Sequence, residues 1–307
     1  MIYIKLLLTA FFWGGTFIAG KMLSGRVHPV CASFLRFAIA SIFLGGLTLM
    51  TEGRFTALRK GQILPVLMLG FTGVFAYNIL FLTGLQYIDA SRASLIIANN
   101  PIIISLLSAL FFKEQLNRIK AVGICLSVLG AIIVISNGRL ADFGSYRIGR
   151  GELLIAGCVI SWVSYSLIGK YVMGGLSPLV SVTYSAIVGA LLLLGPALFS
   201  GLRGAIFHYA VLDWVNLFYL GFFGTVIGFS WYYQGIERIG AMKASVFINF
   251  VPISAIILAF FLLKEHITVS IFLGALLVVA GVYLTNASEI FRRYWRAAFI
   301  RQKEETL

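Results

Sequence analysis

Residues 84–117 read GLQYIDASRASLIIANNPIIISLLSALFFKEQLN, and residues 235–268, 151 positions later, read GIERIGAMKASVFINFVPISAIILAFFLLKEHIT. Eleven of the 34 aligned positions are identical, among them the proline near the middle of each copy, Pro101 and Pro252. Each copy has a polar start, an apolar stretch long enough to cross a bilayer, and a charged end. A spanning segment that recurs within one chain predicts a transporter built from two related halves.

The composition excludes an ordinary soluble domain. Hydrophobic residues make up 60% of the chain and charged residues 11%, whereas soluble domains carry about 25% charged residues. The net charge of +13 is compatible with nucleic-acid binding, but in so apolar a chain it favours basic loops and a basic tail beside an anionic lipid bilayer. We therefore expect no nucleic-acid partner. The three cysteines occur singly, so we expect no disulfide, metal site or cofactor.

Apolar windows bounded by charge, glycine or proline predict ten membrane-spanning helices. In the first half they cover about 4–22, 31–50, 63–84, 91–112 and 119–137. In the second half they cover about 152–172, 179–199, 214–234, 242–263 and 269–287. We therefore predict an all-α membrane protein, with five-helix repeats in 1–137 and 151–287 and a basic amphipathic tail in 288–307.

The number of spans in each half determines the relation between the halves. Because five is odd, the second copy must lie upside down relative to the first, as an inverted repeat. With the N-terminus in the cytoplasm, fifteen Lys and Arg residues fall on the inner side and eight on the outer side, as the positive-inside rule requires. This predicts a multi-pass protein of a bacterial inner membrane with both termini in the cytoplasm.

Several motifs together resemble the drug/metabolite transporter superfamily, and within it the ten-span EamA-type branch, over about residues 4–287. They are Trp13-Gly14, Gly20-Lys21, Arg36, Ala93-Ser94 before Asn100-Pro101, the Gly-x-x-Gly pairs Gly70/Gly73 and Gly221/Gly224, and the pairs Lys113-Glu114 and Lys264-Glu265. The resemblance implies ten helices around a central cavity. It also implies export of amino acids or related metabolites, although some distant relatives exchange nucleotide sugars.

Arg36 is the most informative single residue, because it stands alone in the second predicted span. A cation at the centre of a bilayer costs roughly 2.5–3.5 kcal/mol on the insertion scale. A substrate carboxylate would offset that cost by bidentate pairing. A structural partner, such as the C-terminus of a helix, would offset it equally well, and the sequence does not choose between the two. The second copy has Ser185 at this position, which predicts an electrically asymmetric cavity.

Other polar and aromatic residues at span depth are further candidates. Trp13 and Trp162 lie at matching depth in the two copies, about ten residues inside their spans and away from the interfacial belts. Pro101 and Pro252 are predicted hinges, although a kink that only aids packing is an equal alternative. The complete predicted cavity set is Trp13, Thr16, Arg36, Tyr77, Asn78, Asn99, Asn100, Trp162, Tyr165, Trp231 and Asn249. For its polar members, hydrogen bonding between helices competes with substrate contact.

All eleven acidic residues fall in loops, at span ends or in the tail, so no mid-membrane carboxylate is available to relay protons or hold Na⁺. No nucleophile-base arrangement indicates an enzyme. The leading hypothesis is a secondary transporter of amino acids or similar small molecules, working by alternating access as a monomer or a homodimer. The alternatives are a drug or toxic-compound exporter and a non-transporting membrane scaffold.

Overall fold

The computed structural model describes residues 1–100, 102–104, 107, 118–135, 148–239, 244, 247–281 and 283–284. Within these ranges the chain is helical and has no strand. The all-α prediction is therefore confirmed for the described part of the chain.

Ten apolar or partly apolar helical segments are numbered in chain order. They are α1 Ile2–Leu23, α2 Pro29–Glu52, α3 Lys60–Gly84, α4 Ala90–Ile97, α5 Arg118–Ile135, α6 Arg150–Val172, α7 Pro178–Phe199, α8 Val211–Ile239, α9 Phe247–Leu263 and α10 Val269–Gly281. Six of them, α1, α2, α3, α6, α7 and α8, are long and apolar enough to cross a membrane. The full ten-span count and the inversion of the second half stay predictions.

Local sequence explains where helices begin and end. Pro29 and Pro178 occupy the first positions of α2 and α7, where the missing N–H would have no helical partner in any case. Ser177 caps α7, because its Oγ accepts a hydrogen bond from the Val180 N–H at 3.3 Å. Gly53 ends α2 in the left-handed conformation, with φ 70°, which glycine adopts without steric cost.

Both α3 and α8 change to π-helical geometry near their middle. The π segments are Gly70–Ala76 and Phe222–Ile227, and they end 151 residues apart, at the offset of the sequence repeat. A π segment shifts the hydrogen-bond ladder by one residue and is frequent at functional sites. Side chains bond to backbone carbonyls at both places, since Asn78 Nδ2 donates to Val74 O, inside the first segment, at 2.8 Å, and Thr225 Oγ1 donates to Leu220 O, two residues before the second segment, at 3.0 Å.

The two halves pack reciprocally. Helix α1 packs against α8 and α9, and its repeat equivalent α6 packs against α3 and α4. The equivalent helices α2 and α7 pack against each other. Each half therefore inserts its first helix between elements of the other half, and the side chains that line the centre come from both.

Candidate functional site

A small cavity lies where α1, α2, α3, α4, α6, α8 and α9 converge. Its lining residues are Trp13, Thr16, Phe17, Arg36, Tyr77, Phe81, Ile97, Asn100, Trp162, Phe229, Ile248 and Val251. Its volume is about 30 Å³. A single water molecule needs at least about 10–15 Å³ of cavity volume, so the cavity has room for water but is too small for a metabolite. The helices must therefore separate before the cavity can hold a small organic molecule.

Arg36 on α2 supplies the charge of this cavity and is only 3% exposed. Its Nη1 donates to Asn78 Oδ1 on α3 at 2.8 Å, and its Nε donates to Thr225 Oγ1 on α8 at 3.0 Å. Both acceptors are neutral side chains. No acidic side chain of the described residues pairs with Arg36, so its charge has no counter-ion there.

The π segments explain how Arg36 is held. Thr225 lies inside the π segment of α8, and Asn78 is the second residue after the π segment of α3. Asn78 donates to Val74 O within its segment, and Thr225 donates to Leu220 O, two residues before its segment, which leaves each side-chain oxygen to face the guanidinium. Two neutral oxygens, one from each half, therefore fix the orientation of the Arg36 guanidinium.

The two equivalent tryptophans meet at the cavity wall. The Trp13 and Trp162 rings have centroids 5.3 Å apart and planes at 84°, an edge-to-face arrangement that aromatic pairs favour. Trp13 Nε1 donates to Gly224 O on α8 at 2.9 Å. Both side chains are buried within the protein, so neither belongs to a lipid-facing belt.

The structure brings six of the eleven predicted cavity residues to the lining. They are Trp13, Thr16, Arg36, Tyr77, Asn100 and Trp162. Asn78 holds Arg36 from behind. Tyr165 also lies behind the lining, because its ring packs on Trp162 and its hydroxyl is 3.1 Å from Ser185 Oγ.

The remaining three predicted residues also lie outside the cavity lining. Asn99, in the turn after α4, donates to the carbonyls of Leu95 and Ile96 near the end of that helix. Asn249 is buried but lies outside the lining. Trp231 packs against Phe12 and lies under Lys5, whose Nζ is 5.7 Å from its ring centre.

The structure describes only one of the two predicted hinge prolines. Pro101 lies outside the described residues. Pro252 follows a 3₁₀ turn, Phe247–Asn249, and lies in the first turn of the α-helical part Phe250–Leu258. The helix thus changes geometry directly before the proline, while its action as a hinge stays a prediction.

Sequence reasoning missed the apolar lining and Thr225. Phe17, Phe81 and Phe229 complete the aromatic wall, but an isolated phenylalanine in an apolar span carries no signal. Phe229 could have been found, since it stands 151 positions after Asn78. Aligning the copies would have placed it beside the cavity.

A comparison with protein families identifies the chain. The model of the EamA-like transporter family matches residues 1–136 and 149–287, which is most of the sequence. The chain belongs to the EamA-like transporter family. It is therefore a membrane transporter of this family, and its apolar helices make it a multi-pass membrane protein.

Several bacterial proteins are similar to this chain in sequence. The uncharacterized transporter YyaM of Bacillus subtilis is 31% identical, over 95% of this chain and 94% of its own length. The uncharacterized transporter YetK of the same organism is 30% identical, over 99% and 91%. A protein of Streptantibioticus cattleyicolor, named "Probable terminal-alkyne amino-acid exporter", is 28% identical over 94% of both chains.

The fold also resembles that of a protein of known crystal structure. The match has a TM-score of 0.66 and 19% sequence identity, and it covers 92% of this chain and 96% of the other. At this identity the likeness concerns the fold alone.

Proposed function

We propose that this EamA-family transporter is a secondary-active exporter of amino acids or closely related small metabolites that works by alternating access. The observation that carries the proposal is Arg36, a buried guanidinium that lines the central cavity and is bonded only to neutral oxygens among the described residues. Inside a membrane protein such a charge is expensive and is retained where it serves function.

A substrate carboxylate would supply the missing counter-charge. Guanidinium-carboxylate pairs combine charge with paired hydrogen bonds and are among the strong polar contacts of proteins. Asn78 and Thr225 occupy Nη1 and Nε but present no charge, so they orient Arg36 without neutralising it. A cationic drug would instead be repelled.

Asn100 offers a contact for the other end of an amino acid. Its side chain is 1% exposed and lines the same cavity, and its Oδ1 accepts no hydrogen bond from the residues that the structure describes. An unpaired buried acceptor costs about 1–3 kcal/mol, which a substrate ammonium group would relieve. The faces of Trp13 and Trp162 favour a cation as well.

Two observations support the proposed movement of two inverted halves. The family model matches two stretches that nearly coincide with the predicted repeats 1–137 and 151–287, and the helices pack reciprocally between these halves. The cavity volume of about 30 Å³ fits an occluded state, from which rocking of the halves would open the site to either side. Under this proposal the tail, 288–307, lies on the cytoplasmic leaflet of a bacterial inner membrane, and the protein acts as a monomer or a homodimer.

The test is counterflow in proteoliposomes that contain unlabelled amino acids. We expect saturable uptake of labelled amino acids, and at least about tenfold less uptake with Arg36→Gln, which removes the charge of the anchor. Arg203→Gln is the matched control, because this exposed arginine follows α7, outside the cavity. Exchange of lipophilic cations but not of amino acids would identify a drug exporter. The absence of flux for every compound would favour a scaffold.

A further inference from the structure

The connection between α3 and α4 is held by charged groups from two other helices. Lys21, near the end of α1, donates from Nζ to Leu85 O at 3.0 Å and to Ile88 O at 2.8 Å. Glu265, directly after α9, accepts hydrogen bonds at the start of α4. A cation therefore meets carbonyls of the connection that follows α3, and an anion meets the N–H groups that begin α4, as the helix dipole of α4 favours.

Glu265 makes three contacts with α4. Ala90 N donates to Oε1 at 3.0 Å, Ser91 N donates to Oε2 at 3.2 Å, and Ser91 Oγ donates to Oε2 at 2.6 Å. Asp89, the residue directly before α4, makes no side-chain cap hydrogen bond. The first turn of α4 is thus capped by a carboxylate from the other half of the chain.

The backbone before Glu265 directs its side chain towards α4. Helix α9 ends in a π segment, Ala259–Leu263, and Lys264 then adopts the left-handed conformation with φ 57°. A lysine in that conformation is strained by about 1–2 kcal/mol. Glu265 N closes the turn by donating to Ala259 O at 3.2 Å. A strained turn that ends in a carboxylate with three donors indicates a specific contact rather than a solvated helix end.

This contact lies at one end of the two helices that close the cavity. Ile97, the last residue of α4, and Asn100, three residues after it, line the cavity. Ile248 and Val251 line it from α9. Helices α4 and α9 pack against each other, and Glu265 joins the start of one to the end of the other. A separation of these two helices at this face would therefore break the contacts between Glu265 and α4.

We propose that Glu265 is the latch of a gate, and that its release from Ala90 and Ser91 opens the cavity to the face on which it lies. Under the predicted topology this is the outer face. Glu265 acts through the position of α4 and has no contact with the substrate. The inference rests on the alternating access of the proposed function, but it does not depend on the identity of the cargo.

Side-specific labelling of a cavity cysteine tests the latch without any substrate. The reporter is Phe81→Cys, one turn from the end of α3, in a chain whose Cys31, Cys125 and Cys158 are replaced by alanine. A membrane-impermeant maleimide is added to right-side-out or to inverted vesicles. With Glu265→Ala, we expect labelling from the Glu265 face to rise about tenfold, since charge-assisted hydrogen bonds are lost, and labelling from the opposite face to fall.

Two further variants separate a gate from general loosening. Glu265→Gln keeps one acceptor oxygen and should give an intermediate rise. Asp89→Asn changes the same charge beside the same helix and should leave both labelling rates unchanged, because its carboxylate lies 3.8 Å from Lys21 and does not cap α4. Equal increases from both faces with Glu265→Ala, or no change from either, would overturn the proposal.

A reversible cross-link provides the opposite perturbation. Ser91→Cys and Glu265→Cys, introduced together into the chain that carries the Phe81→Cys reporter, are joined by a short linker that carries two methanethiosulfonate groups. Because the linker holds the contact closed, we expect it to stop labelling of the cavity from the Glu265 face and to stop transport, and we expect reductant to restore both. Undiminished labelling from that face in the cross-linked protein would contradict the latch.

Discussion

Trp13 and Trp162, equivalent residues of the two halves, meet edge to face with ring centroids 5.3 Å apart, but only Trp13 is anchored by a hydrogen bond across the halves. Its Nε1 donates to Gly224 O at 2.9 Å, whereas the Trp162 indole donates to no residue in the part of the chain that the structure describes. The equivalent rings therefore have different structural roles.

Replacing each tryptophan by phenylalanine should separate these roles. Trp13→Phe leaves the carbonyl of Gly224 without its donor inside the protein, and we expect a loss of about 1–2 kcal/mol in the free energy of unfolding. Trp162→Phe loses a similar ring contact but no hydrogen bond, so it serves as the matched control. The midpoint of thermal unfolding in detergent measures the difference. Equal shifts for the two variants would show that the hydrogen bond to Gly224 contributes nothing.

The environment of Arg36 predicts that Asn78→Asp weakens substrate binding while the protein stays folded. The new carboxylate would replace an amide oxygen that lies 2.8 Å from Arg36 Nη1, so an internal ion pair would compete with the substrate carboxylate. We expect the apparent KM for amino-acid exchange to rise at least about tenfold.

Thr225 provides the control for this prediction. Thr225→Ser keeps the oxygen that accepts from Arg36 Nε at 3.0 Å and should leave the KM nearly unchanged. Thr225→Val removes that oxygen and should raise it. If Asn78→Asp exchanged amino acids with the original KM, Arg36 would not bind the carboxylate.

Close packing at the π segments predicts that two glycines tolerate no side chain. A Cβ on Gly73 would overlap the ring of Tyr165, and a Cβ on Gly224 would lie 2.6 Å from Thr16 Cγ2. Overpacking of this kind costs typically about 1–3 kcal/mol, so Gly73→Ala and Gly224→Ala should lower the unfolding midpoint. Gly46→Ala is the control, since a Cβ there meets nothing within 4 Å and alanine favours the helix. An equal effect at all three positions would contradict the packing.

The sequence repeat predicts the all-helical class and many residues at the centre of the protein. It does not predict which side chains contact one another there. Trp13 and Trp162 were found because equivalent depth in two copies is visible in the sequence, and Arg36 because a lone charge in an apolar span is conspicuous. Trp231 was predicted on the same basis of depth, but it lies on another side of its helix, beside Phe12.

The acceptors of Arg36 show why contacts were harder to predict. Thr225 belongs to the other half, 189 positions away, and reaches Arg36 from a π segment. Helical periodicity assumes an uninterrupted α-helix, so it assigns a wrong direction to side chains after such a segment. From the sequence, the possible partners of Arg36 were the C-terminus of a helix and a substrate carboxylate. The observed partners, a neutral hydroxyl and a neutral amide, were not among them.

Asn100 should determine whether the transporter distinguishes an amino acid from its 2-hydroxy-acid analogue. Its buried Oδ1 has no donor within the described part of the chain. An ammonium group supplies a stronger donor than a hydroxyl, because hydrogen bonds to charged groups contribute about 1.5–3 kcal/mol. We expect the original chain to prefer the amino acid about tenfold or more in competition for counterflow. Asn100→Leu should remove that preference while Arg36 still binds both carboxylates.

Asn249→Leu is the matched control for Asn100→Leu. Asn249 is also buried, and its Oδ1 has no hydrogen-bond partner among the described residues, but it lies outside the cavity lining. Its replacement should change the amount of folded protein and leave the preference for the amino acid as it is, because no substrate atom reaches it. If Asn100→Leu kept the original preference, the ammonium group would be bound elsewhere. If Asn249→Leu abolished the preference instead, the amine would bind on the α9 side of the cavity.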